Sequence, residues 1–387
     1  MRLDEDAALK ELRRELRAYF ASVMTSEERS QHKVSPERVA EINRRLGTDG
    51  WLGIGWPAEF GGQGRSQWEQ FVFFDEAKRA GIPVPMLALN TVGPTIMKFG
   101  TDEQKAKYLP EILAGRLQFA IGYTEPEAGT DLASMKTRAV REGGVFRING
   151  TKVFTTGGRQ ADYIWLAART DPEAAKHRGL SVFIVPTTSE GFSVAPLPTI
   201  AEDGAKETTV TYYTDVIVPA SNLVGTINDG WNLITAQLNY ERVALAANLG
   251  WLFELIDDIK TYFSDRGAKP EDWALAILAT IDAQMEAARL LNWRMVGRLA
   301  SGEAIPPGEA AAAKVYGSEL AIEVCRMLME VLGRSSYLTR DSAGAVLSGR
   351  LEEGYRATVV TTFGGGNSEI LREMIAYREL GMLRAPR

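Results

Sequence analysis

The sequence predicts a mainly α protein with a central antiparallel β domain, the order along the chain being α, β, α. Three observations predict it. Up to about residue 117, and again from about 226, apolar residues recur at spacings of three and four, the helical period. Between them VFRINGTKVFTT, YIWLAART, LSVFIVP and ETTVTYYTDVIVP are rich in β-branched and aromatic residues and are separated by turn residues. No helical stretch interleaves with these strands, which excludes a Rossmann-type parallel sheet. The expected domains are 1–117, helical; 118–225, β; and 226–387, helical.

Each element has a local reason. Leu9, Leu12, Leu16 and Phe20 fall on one face of a first helix. Ser35-Pro36 pairs an N-cap with proline at the first helical position, and Gly47 is expected to close that helix. GIGWPA at 53–58 has the outline of a truncated dinucleotide fingerprint, but Pro57 and the EFGGQG that follows argue against the helix it would need. Thr101 to Gln104 has capping-box spacing ahead of KAKYLPEILAG. Asn149-Gly150 is a hairpin-turn signal inside VFRINGTKVFTT. In the last segment AKPEDW and AIPPGE mark connections, and AAAAKVYGSELAIEVCRMLMEVLG is amphipathic.

Bulk properties limit the chemistry. The 387 residues, 45% hydrophobic and 24% charged, suit a folded protein with a sizeable core. A net charge of −6 argues against nucleic-acid or anionic-membrane partners. One cysteine, Cys325, excludes an internal disulfide framework, and His32 and His177 are too few for a His/Cys metal cluster or an easily assembled Ser-His-Asp triad. MRLDEDAALKELRRELRAYF has no apolar core of a signal peptide and too many acids for a transit peptide, and no apolar run approaches membrane-spanning length. The expectation is a soluble, cytoplasmic protein whose chemistry uses carboxylates or a bound cofactor.

Two stretches invite a chemical reading. TTFGGGNSEILR, 361–372, is a glycine-rich turn opening a helix, where proteins often bind phosphate, yet only Glu369 in it could act as an acid or base. In DGWNLITAQLNYERVALAANLGWLF, 229–253, the series Trp231, Ile234, Leu238, Leu245 and Leu252 reads as an inward helix stripe. Glu241 falls in that series where a leucine is expected, and Asn248 is a second polar intruder. A carboxylate on a core stripe costs desolvation unless it is paired or faces a cavity. It is either half of a structural ion pair, with Arg242 as a neighbour, or a general base whose basicity burial raises above the ~4.3 of a free glutamate.

FAIGYTEPEAGTDLASMKT at 119–137, followed by INGTKVFTTGGRQADYIWLAART, closely resembles the acyl-CoA dehydrogenase family, in which TEPxAG[ST]D precedes xNGxKxxxT. GWPAEFGG, GTDEQKAKYLPEILAG and FGGGNSEILREMIAYRELG extend the likeness over nearly the whole chain. The resemblance implies the three-domain acyl-CoA dehydrogenase fold, an α domain, a β domain and a C-terminal four-helix bundle, with FAD between the β domain and the bundle. It implies Tyr123 and Thr124 beside the flavin ring, Gly129 in the cofactor loop, and Thr130 against flavin and substrate. Phe154 would lie at the flavin edge, Thr156 near N5, Asn367 near the flavin, and the Gly365 amide near the thioester oxygen. Taken singly, each of these threonines and aromatics reads equally as strand or core. The implied reaction is α,β-dehydrogenation of an acyl-CoA to the trans-2-enoyl-CoA, with an electron-transferring flavoprotein as acceptor.

Many relatives carry the catalytic base on the loop aligned with 364–367, where this chain has Gly365. A second group carries it in a Glu-Arg pair matching Glu241-Arg242, which makes Glu241 the expected base and Arg242 its support at the substrate. The Arg-x-x-Phe-Gly stretch that completes the FAD site in homotetrameric relatives is reduced to Arg266-Gly267, and Glu330 and Arg334 stand where Gln and Gly are expected. A glutamate near the FAD pyrophosphate is electrostatically poor. These departures suggest an α2β2 heterotetramer with a related dehydrogenase chain, as in the enzymes of bacterial steroid (cholesterol) side-chain breakdown. The competing expectations are a same-fold acyl-CoA oxidase and a non-catalytic partner subunit.

Overall fold

The computed structural model describes residues 4–31, 34–201, 208–240, 247–267, 269–340 and 342–383. Glu241, Arg242 and Leu245 lie outside the described residues, as does His32, and the side chain of Leu238 is also outside them. The chain divides into two compact units, one drawn from 1–34, 65–83 and 242–387, the other from 35–64 and 84–241.

The first unit is helical. Helix α1 (Ala7–Val23) starts at Asp6, whose carboxylate accepts the Leu9 amide, and buries Leu9, Leu12, Leu16, Phe20 and Val23. It is followed by the short α2 (Ser26–Gln31). The apolar face of α1 meets α4 (Gln67–Arg79), where Phe20 and Phe73 have ring centroids 5.9 Å apart. Helix α4 is buried almost all round, so its Asp75 and Glu76 need partners: Arg13 pairs with both, Arg17 with Glu76 and Arg79 with Asp75. Helices α8 (Gly250–Asp265), α9 (Asp272–Ala300), α10 (Pro307–Leu332) and α11 (Arg350–Thr358) share a core of Leu252, Ile259, Ile281, Met285, Val324, Leu328 and Leu351. The last helix, α12 (Ser368–Arg378), packs along α10 and is tied to it by Arg372–Glu319 at 2.6 Å. AKPEDW leads into α9 at Asp272, and AIPPGE leads into α10 at Pro307.

The second unit contains α3 (Pro36–Thr48), α5 (Gly93–Phe99), α6 (Asp102–Leu113), the sheet and α7 (Gly230–Tyr240). Ser35 caps α3 as expected, but Gly47 does not end it; the helix runs on to Thr48. Gly47 serves close packing instead, since a Cβ there would sit 2.5 Å from the Ala114 carbonyl carbon. GIGWPA runs from the end of one 3-10 helix, Trp51–Gly53, to the start of another, Ala58–Phe60, and opens no α-helix. Its neighbour Gly62 also serves packing, a Cβ there falling 2.1 Å from the Trp56 carbonyl oxygen. The Thr101–Gln104 capping box is present, and Gln104 Nε2 also donates to the carbonyls of Ser221 and Leu223 at 2.8 and 2.9 Å.

The strands are β1 (Phe119–Gly122), β2 (Arg138–Glu142), β3 (Val145–Lys152), β4 (Tyr163–Arg169), β5 (Leu180–Pro186), β6 (Phe192–Pro196), β7 (Thr209–Pro219) and β8 (Leu223–Val224). They form one sheet in the order β6-β7-β3-β2-β4-β5-β8, with β1 alongside β4. Pairing is antiparallel except for β1–β4 and the single β2–β4 pair Arg138–Arg169. β4 and β5 are buried on both faces, which is why they read as continuous apolar runs.

Asn149-Gly150 is not the hairpin turn. Gly143-Gly144 turns β2 into β3, pairing Glu142 with Val145, and Asn149-Gly150 sits inside β3 at a bulge opposite β7. Asn149 exchanges hydrogen bonds with Asp215, accepting its amide at 2.9 Å and donating to its carboxylate at 3.0 Å. Gly150, at φ +156°, passes so close to Thr137 that a Cβ would lie 2.4 Å from its hydroxyl.

The expected stripe over 229–253 also changes. The buried face of α7 carries Leu233, Ile234 and Gln237, while Trp231 is only half-buried. Asn248 is exposed in a 3-10 turn over residues 247–249, ahead of α8.

Candidate active site

The motif loop 123–137 is built on a buried ion pair that the sequence reading left without a role. Lys152, at the end of β3, is 0% exposed and Glu125 is 6% exposed. The Lys152 ammonium donates to Glu125 Oε1 and to the Tyr123 carbonyl, both at 2.9 Å. Glu125 also accepts the amides of Lys136 at 2.6 Å and Thr137 at 2.8 Å, so its carboxylate ties the two ends of the loop together. Burial pushes the Lys152 ammonium down to about 8, against the upward pull of Glu125. Burial alone would raise the Glu125 carboxyl; Lys152 and the bonds to Thr137 and Lys136 outweigh it and hold it below its ordinary value. Reciprocal amide bonds between Glu125 and Ala128, both 3.1 Å, close the turn across Pro126.

A second clamp comes from Arg169 on β4, which donates to the carbonyls of Met135 at 3.1 Å and Ala133 at 2.6 Å. Lys176 pairs with Asp131 at the end of the AGTD run.

Tyr123 is buried, and its hydroxyl points inward, donating to Gln237 Oε1 on α7 at 2.9 Å and accepting from Trp165 Nε1 at 3.0 Å. Thr124 is half-buried, and its carbonyl accepts the Val153 amide at 2.9 Å, which draws 153–156 against the motif loop. The residues next in line face outward. Phe154 is 55% exposed and held at φ +57°, a conformation rare for a bulky side chain. Thr156 is exposed with its hydroxyl 2.9 Å from that of Thr208. Gly129 and Thr130 are exposed on the loop.

Gly365 and Asn367 belong to the other compact unit. Gly365 has φ +69°, a Cβ there would meet nothing within 4 Å, and its N–H donates no hydrogen bond to a described residue. The Asn367 side-chain oxygen caps α12, accepting the amides of Glu369 at 3.0 Å and Ile370 at 3.1 Å. Glu330 pairs with Arg326 on the exposed side of α10, and the Arg266 guanidinium stacks 3.7 Å over the Tyr262 ring. Glu241 and Arg242, the expected base and its support, lie outside the described residues.

Sequence reasoning missed Glu125, Lys152, Gln237 and Arg169. The signal for the first two was present in the motif itself: a lysine at an inward position of a strand needs a buried carboxylate, and TEPEAG offers one. Among the described residues no group of three His, Cys, Asp or Glu side chains could hold a metal ion, and no helix is long and apolar enough to cross a membrane.

Models of the acyl-CoA dehydrogenase N-terminal, middle and C-terminal domains match residues 6–116, 120–216 and 228–380. The chain belongs to the acyl-CoA dehydrogenase family. This dehydrogenase is 48% identical over 407 residues to the acyl-CoA dehydrogenase FadE26 of Mycobacterium tuberculosis, with 100% of both chains covered. It is 44% identical over 393 residues to FadE29 of the same organism, again with 100% of both covered. Among solved structures it is similar to a chain of the Tcur3481-Tcur3483 steroid acyl-CoA dehydrogenase, with a TM-score of 0.95, 52% identity and 100% of both chains covered. It is also similar to a chain of the ChsE4-ChsE5 complex of M. tuberculosis, with a TM-score of 0.91, 47% identity and 100% of both covered. The acyl-CoA dehydrogenase fold expected from the sequence is therefore the observed one, and the chain is an oxidoreductase of that class, in a family that is generally FAD-dependent.

Proposed function

We propose that this dehydrogenase removes hydrogen from Cα and Cβ of an acyl-CoA thioester, with Glu241 as base, FAD as cofactor, and a related dehydrogenase chain as partner in an α2β2 assembly. The observation that carries the cofactor reading is Phe154. A bulky side chain at positive φ, more than half exposed beside exposed hydroxyls, is a strained arrangement that repays its cost when a planar ligand covers it. These groups suit a flavin, which offers an apolar ring system with hydrogen-bonding edges. Phe154 would pack at the ring edge, while Thr124, Gly129, Thr130, Thr156 and Asn367 would line its polar periphery. Bound FAD would supply hydride acceptance at N5.

The chain's own residues do the rest. Glu241 takes the proton from Cα, and Arg242 supports its charge beside the substrate. The Gly365 N–H, which has no described partner, donates to the thioester oxygen and stabilises its developing charge. The Lys152–Glu125 pair keeps the flavin-facing loop in one conformation before substrate arrives, so that little reorganisation is left for the chemical step. The open space at Gly365 leaves room for a bulky or branched acyl group, and a steroid side-chain thioester is the substrate class proposed, in keeping with the relative named as a steroid dehydrogenase. The functional domain limits proposed are 1–117, 118–225 and 226–387, and an electron-transferring flavoprotein is proposed as acceptor.

The test is Glu241→Gln in the complex purified with its partner chain. Flavin content should be kept while acyl-CoA-dependent bleaching slows by on the order of 10²–10⁴-fold, the typical contribution of a positioned base. Undiminished turnover would assign the chemistry to the partner and leave this chain a supporting subunit.

A further inference from the structure

The run FGGG at 363–366 places three glycines where a thioester is proposed to bind, and glycine is the residue with most freedom to lose. Gly365 and Gly366 both hold positive φ, +69° and +112°, and a Cβ at Gly366 would make only ordinary contacts with Leu371. A loop of this composition needs an external restraint to keep one conformation. On its N-terminal side the Gly364 amide donates to the Val360 carbonyl at 2.7 Å. On its C-terminal side Lys314 Nζ donates to the Gly366 carbonyl at 2.5 Å. Among the described residues no other side chain hydrogen-bonds to 363–366.

Lys314 is well placed for this. It lies on α10, and α12, which follows the loop, is fixed to the same helix by Arg372–Glu319. The ammonium is partly withdrawn from water, which lowers its pKa, while Glu319 and Glu369 pull the other way.

We propose that Lys314 is a positioning residue that holds the glycine loop so that the Gly365 amide meets the thioester oxygen. The role rests on the acyl-CoA reading above. It acts through the Gly366 carbonyl rather than by touching the reacting atoms, so its loss should affect the rate of the chemical step more than the affinity for substrate.

The experiment uses the flavin-loaded complex with its partner chain and two variants, Lys314→Met and Lys314→Arg. Probes are octanoyl-CoA, isovaleryl-CoA and a CoA thioester of a steroid side-chain acid. In Lys314→Met, amide hydrogen exchange across 359–371 should quicken by roughly tenfold or more while other regions keep their protection. The limiting rate of bleaching should fall roughly 10–100-fold, short of the loss expected when an oxyanion donor is removed outright. The acyl-CoA dissociation constant should change less than about threefold, and Lys314→Arg should restore both readouts in large part, since a cation still reaches the carbonyl. Unchanged exchange across the loop, or an unchanged bleaching rate in Lys314→Met, overturns the role. So does equal loss in both variants accompanied by a general fall in protection, which marks a structural residue only. A parent complex that none of the three thioesters bleaches refutes the acyl-CoA reading itself; a parent that bleaches beside an indifferent Lys314→Met refutes only the positioning role.

Discussion

Replacing Lys152 by methionine isolates the ion pair beneath the motif loop. The substitution keeps much of the side chain's volume and removes the ammonium, so packing is a minor part of the outcome. It leaves the Glu125 carboxylate, 6% exposed, with only the Lys136 and Thr137 amides, and it takes the Lys152 bond from the Tyr123 carbonyl. Breaking a buried pair from one side typically costs about 3–5 kcal/mol. At ~2–4 °C per kcal/mol for a body of this size, the melting temperature should fall by roughly 6–20 °C. The pH dependence gives an independent check. In the parent the folded Glu125 pKa is below its unfolded value, so its contribution is present above the unfolded pKa and is lost as pH falls through the folded one. In the variant the partner charge is gone and burial dominates, which raises the folded pKa; the uncompensated charge is then relieved as pH falls. The stability gap between parent and variant should therefore narrow on acidification, and Lys152→Met/Glu125→Gln should recover part of the single-variant loss. Urea denaturation at pH 7.5 and 5 with all three proteins measures this. A loss under about 1 kcal/mol, or a gap independent of pH, would refute the argument that the pair is what holds the loop.

Two further outcomes follow from the geometry. Gln237→Leu takes away the acceptor of the buried Tyr123 hydroxyl and should cost ~1–3 kcal/mol by denaturant titration, with a changed emission from Trp165, whose indole N–H donates to the same hydroxyl. Gly150→Ala should cost about 1–3 kcal/mol, because the new methyl meets Thr137, whereas Gly144→Ala, with nothing within 4 Å, should stay within ~0.5 kcal/mol. Reversal of that order would restore Asn149-Gly150 as the turn.

The sequence was most legible where local chemistry and burial agree. Leu9, Leu12, Leu16 and Phe20 could be read as a stripe because one helix keeps one phase for its whole length. The Thr101 capping box was readable because it is closed within four residues. Legibility failed where a partner distant in sequence decides the outcome. Asn149-Gly150 carries the local signal of a turn, yet Asp215 on β7 captures Asn149, and Gly143-Gly144 turns the chain six residues earlier. The 229–253 stripe assumed one helical face throughout, yet residues 247–249 form a 3-10 turn in which Asn248 is exposed.

The motif TEPEAGTD…NGTKVFTT also shows why a list of motif residues does not by itself mark a binding surface. Strict alternation would separate inner from outer side chains in a strand, but most of this motif is loop and bulge, where no period applies. The inward set, Tyr123, Glu125 and Lys152, is polar and hydrogen-bonded within the protein; the outward set, Thr130, Phe154 and Thr156, includes a bulky apolar side chain that is 55% exposed. This inverts the usual expectation of polar outside and apolar inside, and it has one physical consequence. The inner polar bonds fix the loop at a cost in desolvation that apolar packing would avoid, and they return geometry, since a hydrogen bond has direction and an apolar contact has none. A surface that must meet a planar ligand without rearranging needs directional support beneath it. Tyr123 links the two sets, its hydroxyl bonded inward to Gln237 and its carbonyl held by Lys152, so a residue proposed to lie beside the flavin is restrained from both ends before any ligand arrives.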